Sequence, residues 1–436
     1  MKKTFLLLLN CFLLCLNANA SEKVAHSPKV NMWVTDSGMK VAYVHVPNMI
    51  INLELAFHAG SSRDGANYGL ASLTNNLVSA GGEKLSFDEI ASQFDNSGVI
   101  FSYNSGKDSA TLSLQSLSSK EFFEPAISTF TDMIKAPNFS DNDFTRIRSH
   151  ALQEIKFKDQ SPNSVAYKNF FSAMYHDHPY SHPSYGTEET VKLISQDMVK
   201  SFYNKHYCKE NAVLAIVGDI TEKEAHVLAN RISSSLPSGS TLPSLEVIKE
   251  ISSADVKVTY PSSQSKLVLG GLGVTPHSKD IFALDLASSI LGGGLDSRLS
   301  IDIREKRGLV YGISAFVHPL ELRGPFIIST QTKSENRNVA SKEIKRIVAD
   351  FVAHGATEEE LRKVKKINIS YHYEMFSQNS AIANVLALYM IYDLPSTYLE
   401  DYVSNVNKVT LEDVNKAISK YMKLNPLVSV VVGPHE

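Results

Sequence analysis

Tyr207-Cys208-Lys209-Glu210-Asn211 leads into the apolar run Ala212-Val213-Leu214-Ala215-Ile216-Val217 and stops at Gly218. Near the C-terminus, Tyr421-Met422-Lys423-Leu424-Asn425 leads in the same way into an apolar run from Leu427 to Val432 and stops at Gly433. A short aliphatic and β-branched run closed by glycine reads as a buried strand. Meeting it twice means that one structural unit occurs twice. Leu70-Ala71-Ser72, opening a helical pattern that ends near Gly81-Gly82, is echoed by Leu286-Ala287-Ser288 before Gly292-Gly293-Gly294. Both pairs keep an offset of about 215 residues. Between the copies, Ser233-Ser-Ser-Leu-Pro-Ser-Gly-Ser-Thr-Leu-Pro243 has neither helical nor strand periodicity and reads as a linker. The expected organisation is two homologous halves, residues 29–235 and 248–436, joined by a linker at 236–247.

Within the first half, Met32 to Val34, Lys40 to Val46, Ile50 to Ala56, Val99 to Tyr103 and Ala110 to Leu114 are short, β-branched or alternating, and read as strands. Helical periodicity covers Gly69 to Ser79, Phe87 to Phe94, Glu121 to Ile134, Asp141 to Phe157 and Ser164 to Met174, and Ser86 with Glu89 forms a capping-box pattern. Strands and helices in this mixed order give an α+β fold: a mostly antiparallel sheet with helices packed on one face, built twice, the halves facing each other as a half-shell.

The chain has 436 residues, 43% hydrophobic and 20% charged, enough to bury a large core. With 43 Lys and Arg against 46 Asp and Glu it carries no basic excess for a phosphate backbone, so nucleic acid is not an expected partner. Lys2 and Lys3, the apolar run from Phe5 to Leu16 and Ala18-Asn19-Ala20 before Ser21 have the layout of a secretory signal over residues 1–20. Its apolar middle is too short for a membrane span, and no later run is long enough, so the mature chain is expected without one. The expected location is across the inner membrane, in the periplasm of a Gram-negative host. Cys11 and Cys15 leave with the signal, which leaves Cys208 without a disulfide partner.

The most informative stretch of the second half is Asp296-Ser-Arg-Leu-Ser-Ile-Asp-Ile-Arg304-Glu-Lys-Arg-Gly308-Leu-Val-Tyr311-Gly312. It reads as an amphipathic helix with Leu299 and Ile303 on one side, stopped by Gly308 and followed by a strand. Arg304 at the helix end and Tyr311 at the strand start can then aim a guanidinium and a phenol at one point. With His178-Pro-Tyr-Ser-His182-Pro before Gly186-Thr, and with the closing strand from Asn211 to Gly218, this stretch resembles the insulinase/pitrilysin family of zinc peptidases. The likeness covers essentially the whole mature chain. It implies that Arg304 and Tyr311 bind substrate or polarise its carbonyl.

The same likeness implies an inverted zinc motif, H-x-x-E-H, in which two imidazoles hold the metal and the Glu activates water. The sequence departs from it. Gly69-Leu-Ala-Ser72-Leu-Thr-Asn75-Asn76 aligns with the motif, so Ser72 and Asn76 stand at the histidine positions and Asn75 at the general base. Glu154 matches the third ligand and stands alone. A hydroxyl, two amides and one carboxylate make a poor zinc site, and Asn75 cannot take a proton from water. None of the 14 histidines forms H-x-x-E-H or H-E-x-x-H elsewhere.

His176, Asp177, His178 and His182 lie close enough in sequence to be weighed as a metal cluster, but His-Pro repeats in a loop are commonly structural. Arg304 can also be read as a helix-end charge, Glu154 as a remnant on a solvated helix face and Cys208 as an inert, half-buried thiol. The reading that unites these features is a non-catalytic, zinc-less subunit of a secreted heterodimeric zinc peptidase. It holds no cofactor itself, is inactive alone, and lends Arg304 and Tyr311 to a homologous partner that carries zinc and H-x-x-E-H and acts on unfolded peptides. The alternative is a periplasmic peptide-binding or scaffold protein without catalysis.

Overall fold

The computed structural model describes residues 27–435, so the segment read as a secretory signal lies outside the described residues. The first sheet contains β1 (Asn31–Val34), β2 (Lys40–His45), β3 (Ile50–Phe57), β4 (Ile100–Ser105), β5 (Ala110–Leu117) and β6 (Ala212–Gly218) in the order β1-β2-β6-β3-β5-β4. The second contains β7 (Ala254–Thr259), β8 (Gln264–Leu272), β9 (Val310–Val317), β10 (Pro325–Lys333) and β11 (Val428–Gly433) in the order β7-β11-β8-β10-β9. In each sheet one parallel pair, β2 with β6 or β7 with β11, is followed by three antiparallel pairs. The two repeated runs found in the sequence are β6 and β11, the equivalent strands of the two copies. Both are buried along nearly their whole length, which is why they read as continuous apolar runs.

The helices repeat as well. In the first half they are α1 (Leu70–Val78), α2 (Phe87–Asn96), α3 (Lys120–Lys135), α4 (Asp141–Asp159), α5 (Pro162–Tyr175), α6 (Glu188–Leu193), α7 (Gln196–His206) and α8 (Glu222–Ser235). The second half has α9 (Ile281–Gly292), α10 (Arg337–His354), α11 (Glu358–Glu374), α12 (Asn379–Ile391), α13 (Tyr398–Lys408) and α14 (Leu411–Tyr421). Capping boxes start several of them: Ser86 with Glu89 before α2, Thr221 with Glu224 before α8 and Thr357 with Glu360 before α11. Such reciprocal bonds satisfy amide donors that the first turn leaves without partners. Residues 237–253 form no helix or strand.

One face of each sheet packs on helices of its own half. Leu53, Leu55, Phe57, Leu112 and Leu114 meet Leu73, Leu77, Phe94 and Phe130 in the first half, and Leu267, Leu269 and Ile328 meet Leu284, Ile344 and Phe351 in the second. The expectation of helices on one face is incomplete, because the opposite face of each sheet is covered by a helix from the other half. Helix α12 lays Ile382, Leu386 and Met390 on Ala42, Ala56, Ala215 and Val217 of the first sheet. Helix α5 reciprocates with Ala166, Phe170 and Met174 on Val268, Ile327, Val428 and Val430 of the second. Small residues let the exchanged helices approach closely. A side chain at Gly270 in β8 would place its Cβ 2.9 Å from Phe170 Cζ.

A buried carboxylate sits where the halves meet. Asp108 accepts hydrogen bonds from the Tyr180 hydroxyl at 2.6 Å, the Glu321 amide at 2.8 Å and the Tyr392 hydroxyl at 3.1 Å. Burial pushes its carboxyl above the ordinary aspartate range, while the two phenols pull the other way.

Candidate functional site: the metal positions and the Arg304–Tyr311 pair

Helix α1 carries the positions aligned with the zinc motif, and its start is tightly built. Asp64 accepts from the backbone amides of Gly69 and Ala71, both at 2.7 Å, and so caps the helix with a buried carboxylate. Gly69 has φ +95°, and a Cβ there would lie 2.9 Å from the Tyr185 carbonyl oxygen. Gly186, with φ +78°, packs against the same turn, and the His182 ring stacks on Tyr68 at 4.0 Å. The His-Pro segment and its Gly-Thr thus brace the entrance to α1.

Asn75 is fully buried and committed to the protein. Its Nδ2 donates to the carbonyls of Asn104 at 2.9 Å and Thr111 at 3.3 Å, which face each other across β4 and β5. Its Oδ1 accepts from the Tyr207 hydroxyl at 3.0 Å. Burial raises that phenol well above its ordinary pKa, so it remains a donor. An amide satisfies this site and a carboxylate does not, because two carbonyl oxygens would face its negative charge. Ser72 and Asn76 are partly exposed on the same helix. Glu154 on α4 pairs with Lys158 at 3.2 Å, one turn along, and its side chain is 43% exposed. This donor set does not fit zinc, and no group of three or more His, Cys, Asp and Glu side chains among the described residues could hold a metal ion.

The three histidines of the loop do not converge. His176 is exposed at the end of α5 with φ +46°. His178 accepts from the Tyr180 amide on Nδ1 at 3.1 Å and faces the Glu246 carbonyl with Nε2 at 3.0 Å, which fixes the neutral tautomer carrying its proton on Nε2. Burial, followed by the nearby Lys107 ammonium, pushes the buried His182 down to about 4. Cys208 is fully buried rather than half-buried, with Asn211 Nδ2 3.0 Å from its Sγ. Burial raises its thiol, as expected of an inert one.

The second-half stretch is built to present one side chain. Leu299 and Ile303 are buried as expected, but Ser300–Lys306 winds as a π-helix, a form often found at functional sites. Gly308 ends it at φ +61°, with its amide bonded to the Arg304 carbonyl at 3.0 Å. In the pairing of β9 with β10, Ile313 faces Thr330 and Val310 faces Thr332. Tyr311 and Gly312 therefore stand opposite Gln331 alone, a β-bulge. Thr330 Oγ1 donates to the Gly312 carbonyl at 2.7 Å and Thr332 Oγ1 to the Leu309 carbonyl at 2.5 Å, pinning the bulge on both sides.

The bulge turns Tyr311 outward, where it is 90% exposed. Arg304 lies 5.5 Å from the centre of its ring, a cation–π distance, and Arg304 Nε lies 3.7 Å from Glu305. The structure thus brings Arg304 and Tyr311 together. Tyr311 lines a groove of about 930 Å3 with Lys266, Ser314, Gln331 and Asn336. Lys266 also lies over Tyr167 of the exchanged helix α5, so the groove runs beside that helix. No hydrogen bond or ion pair among the described residues links the pair to Ser72, Asn75, Asn76 or Glu154. Sequence reasoning missed the bulge and the threonines that hold it. The alternation Thr330-Gln331-Thr332 opposite Tyr311-Gly312 was the available signal.

Comparison with known proteins agrees with this geometry. The profile described as Insulinase (Peptidase family M16) matches residues 40–188, and the one described as Peptidase M16 inactive domain matches residues 193–368. The crystal structure of a peptidase M16 inactive domain from Pseudomonas fluorescens is similar with a TM-score of 0.90 and 33% identity, over 94% of this chain and 98% of that one. A Helicobacter pylori protein described as non-peptidase homolog YmxG is 25% identical over 411 residues, 90% of this chain and 92% of its own length. Zinc protease PqqE of the same organism is 22% identical over 426 residues, 94% of each chain. With two similar halves and matches along most of its length, this chain belongs to the insulinase family, peptidase family M16.

Proposed function

We propose that this chain is the zinc-less subunit of a secreted two-chain peptidase and lends Arg304 and Tyr311 to peptide bound at the metal of a homologous partner. One observation carries the reading. The position aligned with the general base is built into the fold as an amide network around Asn75, while Tyr311 is held 90% exposed on a pinned bulge. An exposed phenol on a pinned strand has little value to the fold, and its hydroxyl is open to a group that is not part of this chain. Helicobacter pylori has relatives of both descriptions, a non-peptidase homolog and a zinc protease, which supports a pair of this kind.

In that complex, zinc held by the partner's H-x-x-E-H would supply Lewis acidity and an activated water. Tyr311 would donate its hydroxyl to the oxygen on which negative charge develops, and Arg304 would hold that charge and orient the peptide. The exposed edge strand β4, on which Ile100 is 62% and Tyr103 45% exposed, offers unpaired backbone for an extended peptide.

The test is co-expression of the mature chain with a homologue from the same genome that carries H-x-x-E-H. Size-exclusion chromatography and peptide cleavage are then measured for each chain alone and for the mixture. Cleavage that requires both chains supports the proposal. A partner fully active alone, with no complex formed, refutes it and leaves the scaffold reading.

A further inference from the structure

A cavity of about 610 Å3 opens in the second half between α9, α11, α12 and α13, away from the residues assigned above. At its floor is Asp285, the one charged residue of the mostly apolar helix Ile281–Gly292. Its carboxylate accepts a single hydrogen bond, from Asn368 Nδ2 at 3.0 Å, and no cationic side chain pairs with it among the described residues. The other charges lining the cavity are matched: Lys363 pairs with Asp296 at 2.7 Å, and Glu360 with Arg298 at 2.7 Å. One negative charge is left over.

Aromatic rings surround it. Tyr398 meets Tyr389 edge-on at 4.8 Å and stacks on Phe282 at 5.7 Å, while Tyr402 stacks on His372 at 4.3 Å. The hydroxyls of Tyr389, Tyr398 and Tyr402 have no hydrogen-bond partner among the described residues, although all three phenols are raised by burial and by the nearby Asp285 charge. A carboxylate with a free oxygen, phenol oxygens able to accept, and π faces make up a cation site. The adjoining apolar recess of about 210 Å3 shares Asp285, Tyr389 and Tyr402 with the cavity and is walled by Phe282, Val317 and Leu388.

We propose that the Asp285 cavity binds a primary ammonium group on an alkyl stem. An ammonium carries three donors that rotate to meet scattered acceptors, whereas a guanidinium needs a flat two-oxygen fork. Here Asn368 already occupies one side of the carboxylate. The apolar wall of the cavity, including Ile290, Val364 and Ile367, covers the stem. A lysine side chain of a peptide and a free diamine share this chemistry. The inference does not depend on the proposed function, because the cavity lies apart from Arg304 and Tyr311.

The test is isothermal titration of the mature chain at pH 7.5 with N-acetyl-lysine methylamide, its norleucine analogue and cadaverine. Saturable binding of at least one amine is expected, with none for norleucine, which keeps the stem and lacks the charge. Tighter binding of the lysine derivative identifies a peptide-borne group, and tighter binding of cadaverine a free amine. Asp285→Asn should weaken binding at least tenfold with a thermal midpoint at or above that of the wild type, and Tyr398→Phe should weaken it several-fold. Absence of binding by both amines overturns the proposal, as does unchanged affinity in Asp285→Asn. If Asp285→Asn fails to fold, the carboxylate is structural and the proposal also falls.

Discussion

Tyr392, where α12 ends, donates its hydroxyl to Asp108 at 3.1 Å across 284 residues of sequence. Asp108 belongs to the first half and Tyr392 to the second, and the bond lies beside the helix that the second half lays on the first sheet. The polar contact and the exchanged helix are thus parts of one arrangement, in which each half completes the core of the other.

Two substitutions test that arrangement. Tyr392→Phe leaves a buried acceptor with one partner fewer and should cost about 1–3 kcal/mol. Phe170→Ala opens a cavity between α5 and β8 and should cost about 3–5 kcal/mol. Denaturant unfolding followed by far-UV circular dichroism should show one shared transition, moved to lower denaturant in both variants. Two transitions, with only one of them moved, would mean that the halves are independent.

Restoring an acid at the general-base position should not restore catalysis. Asn75→Glu puts a longer, charged side chain where two carbonyls point inward, so it should lower stability by roughly 2–3 kcal/mol and bind no stoichiometric zinc. Elemental analysis and thermal unfolding of the purified variant check this. One zinc per chain in either the variant or the wild type would contradict the account of the site.

Because Tyr311 is 90% exposed, Tyr311→Phe should leave the thermal midpoint and complex formation unchanged. In the reconstituted pair it should lower turnover by about 100- to 1000-fold, the usual cost of removing one donor to a developing oxyanion. Arg304→Ala should also raise KM, because it removes a charge and several donors. Wild-type cleavage by both variants in an intact complex would remove the proposed role.

Asp285 should leave a signature in the pH dependence of stability. Burial raises its carboxyl from 3.8 to about 6, with the Asn368 amide acting in the opposite direction. A carboxyl that holds its proton more tightly in the fold contributes stability in full below about 4, and this is lost as the pH rises to about 6. His372 across the cavity is pushed down to about 4 by burial, so it is neutral over most of that window, and the facing Tyr389, Tyr398 and Tyr402 are neutral throughout. Asp285→Asn should remove this decline and be more stable than the wild type at pH 7.5, by up to about 3 kcal/mol. Denaturation midpoints at pH 4, 5, 6 and 7.5 give the comparison. Parallel curves for the two proteins would show that Asp285 does not titrate in this range.

The amino-acid sequence by itself determined the repeated unit, most strand and helix positions of the first half and the loss of the zinc ligands. These are local properties: period-2 and period-3.6 patterns, capping residues, and the identities at 72, 75 and 76. It also paired Arg304 with Tyr311, because Tyr311 lies only seven positions beyond Arg304, past a glycine stop. Only the tertiary structure decided that α5 and α12 cross to the opposite sheets. A helix with an apolar stripe does not record which of two similar sheets it covers. The same limit hid the bulge, which depends on how β9 registers against β10, and the commitment of Asn75 to carbonyls on β4 and β5. It hid Asp285 as well. One acid in an apolar helix reads as an irregularity until the three tyrosines of α12 and α13, more than 100 residues later in the chain, are folded around it.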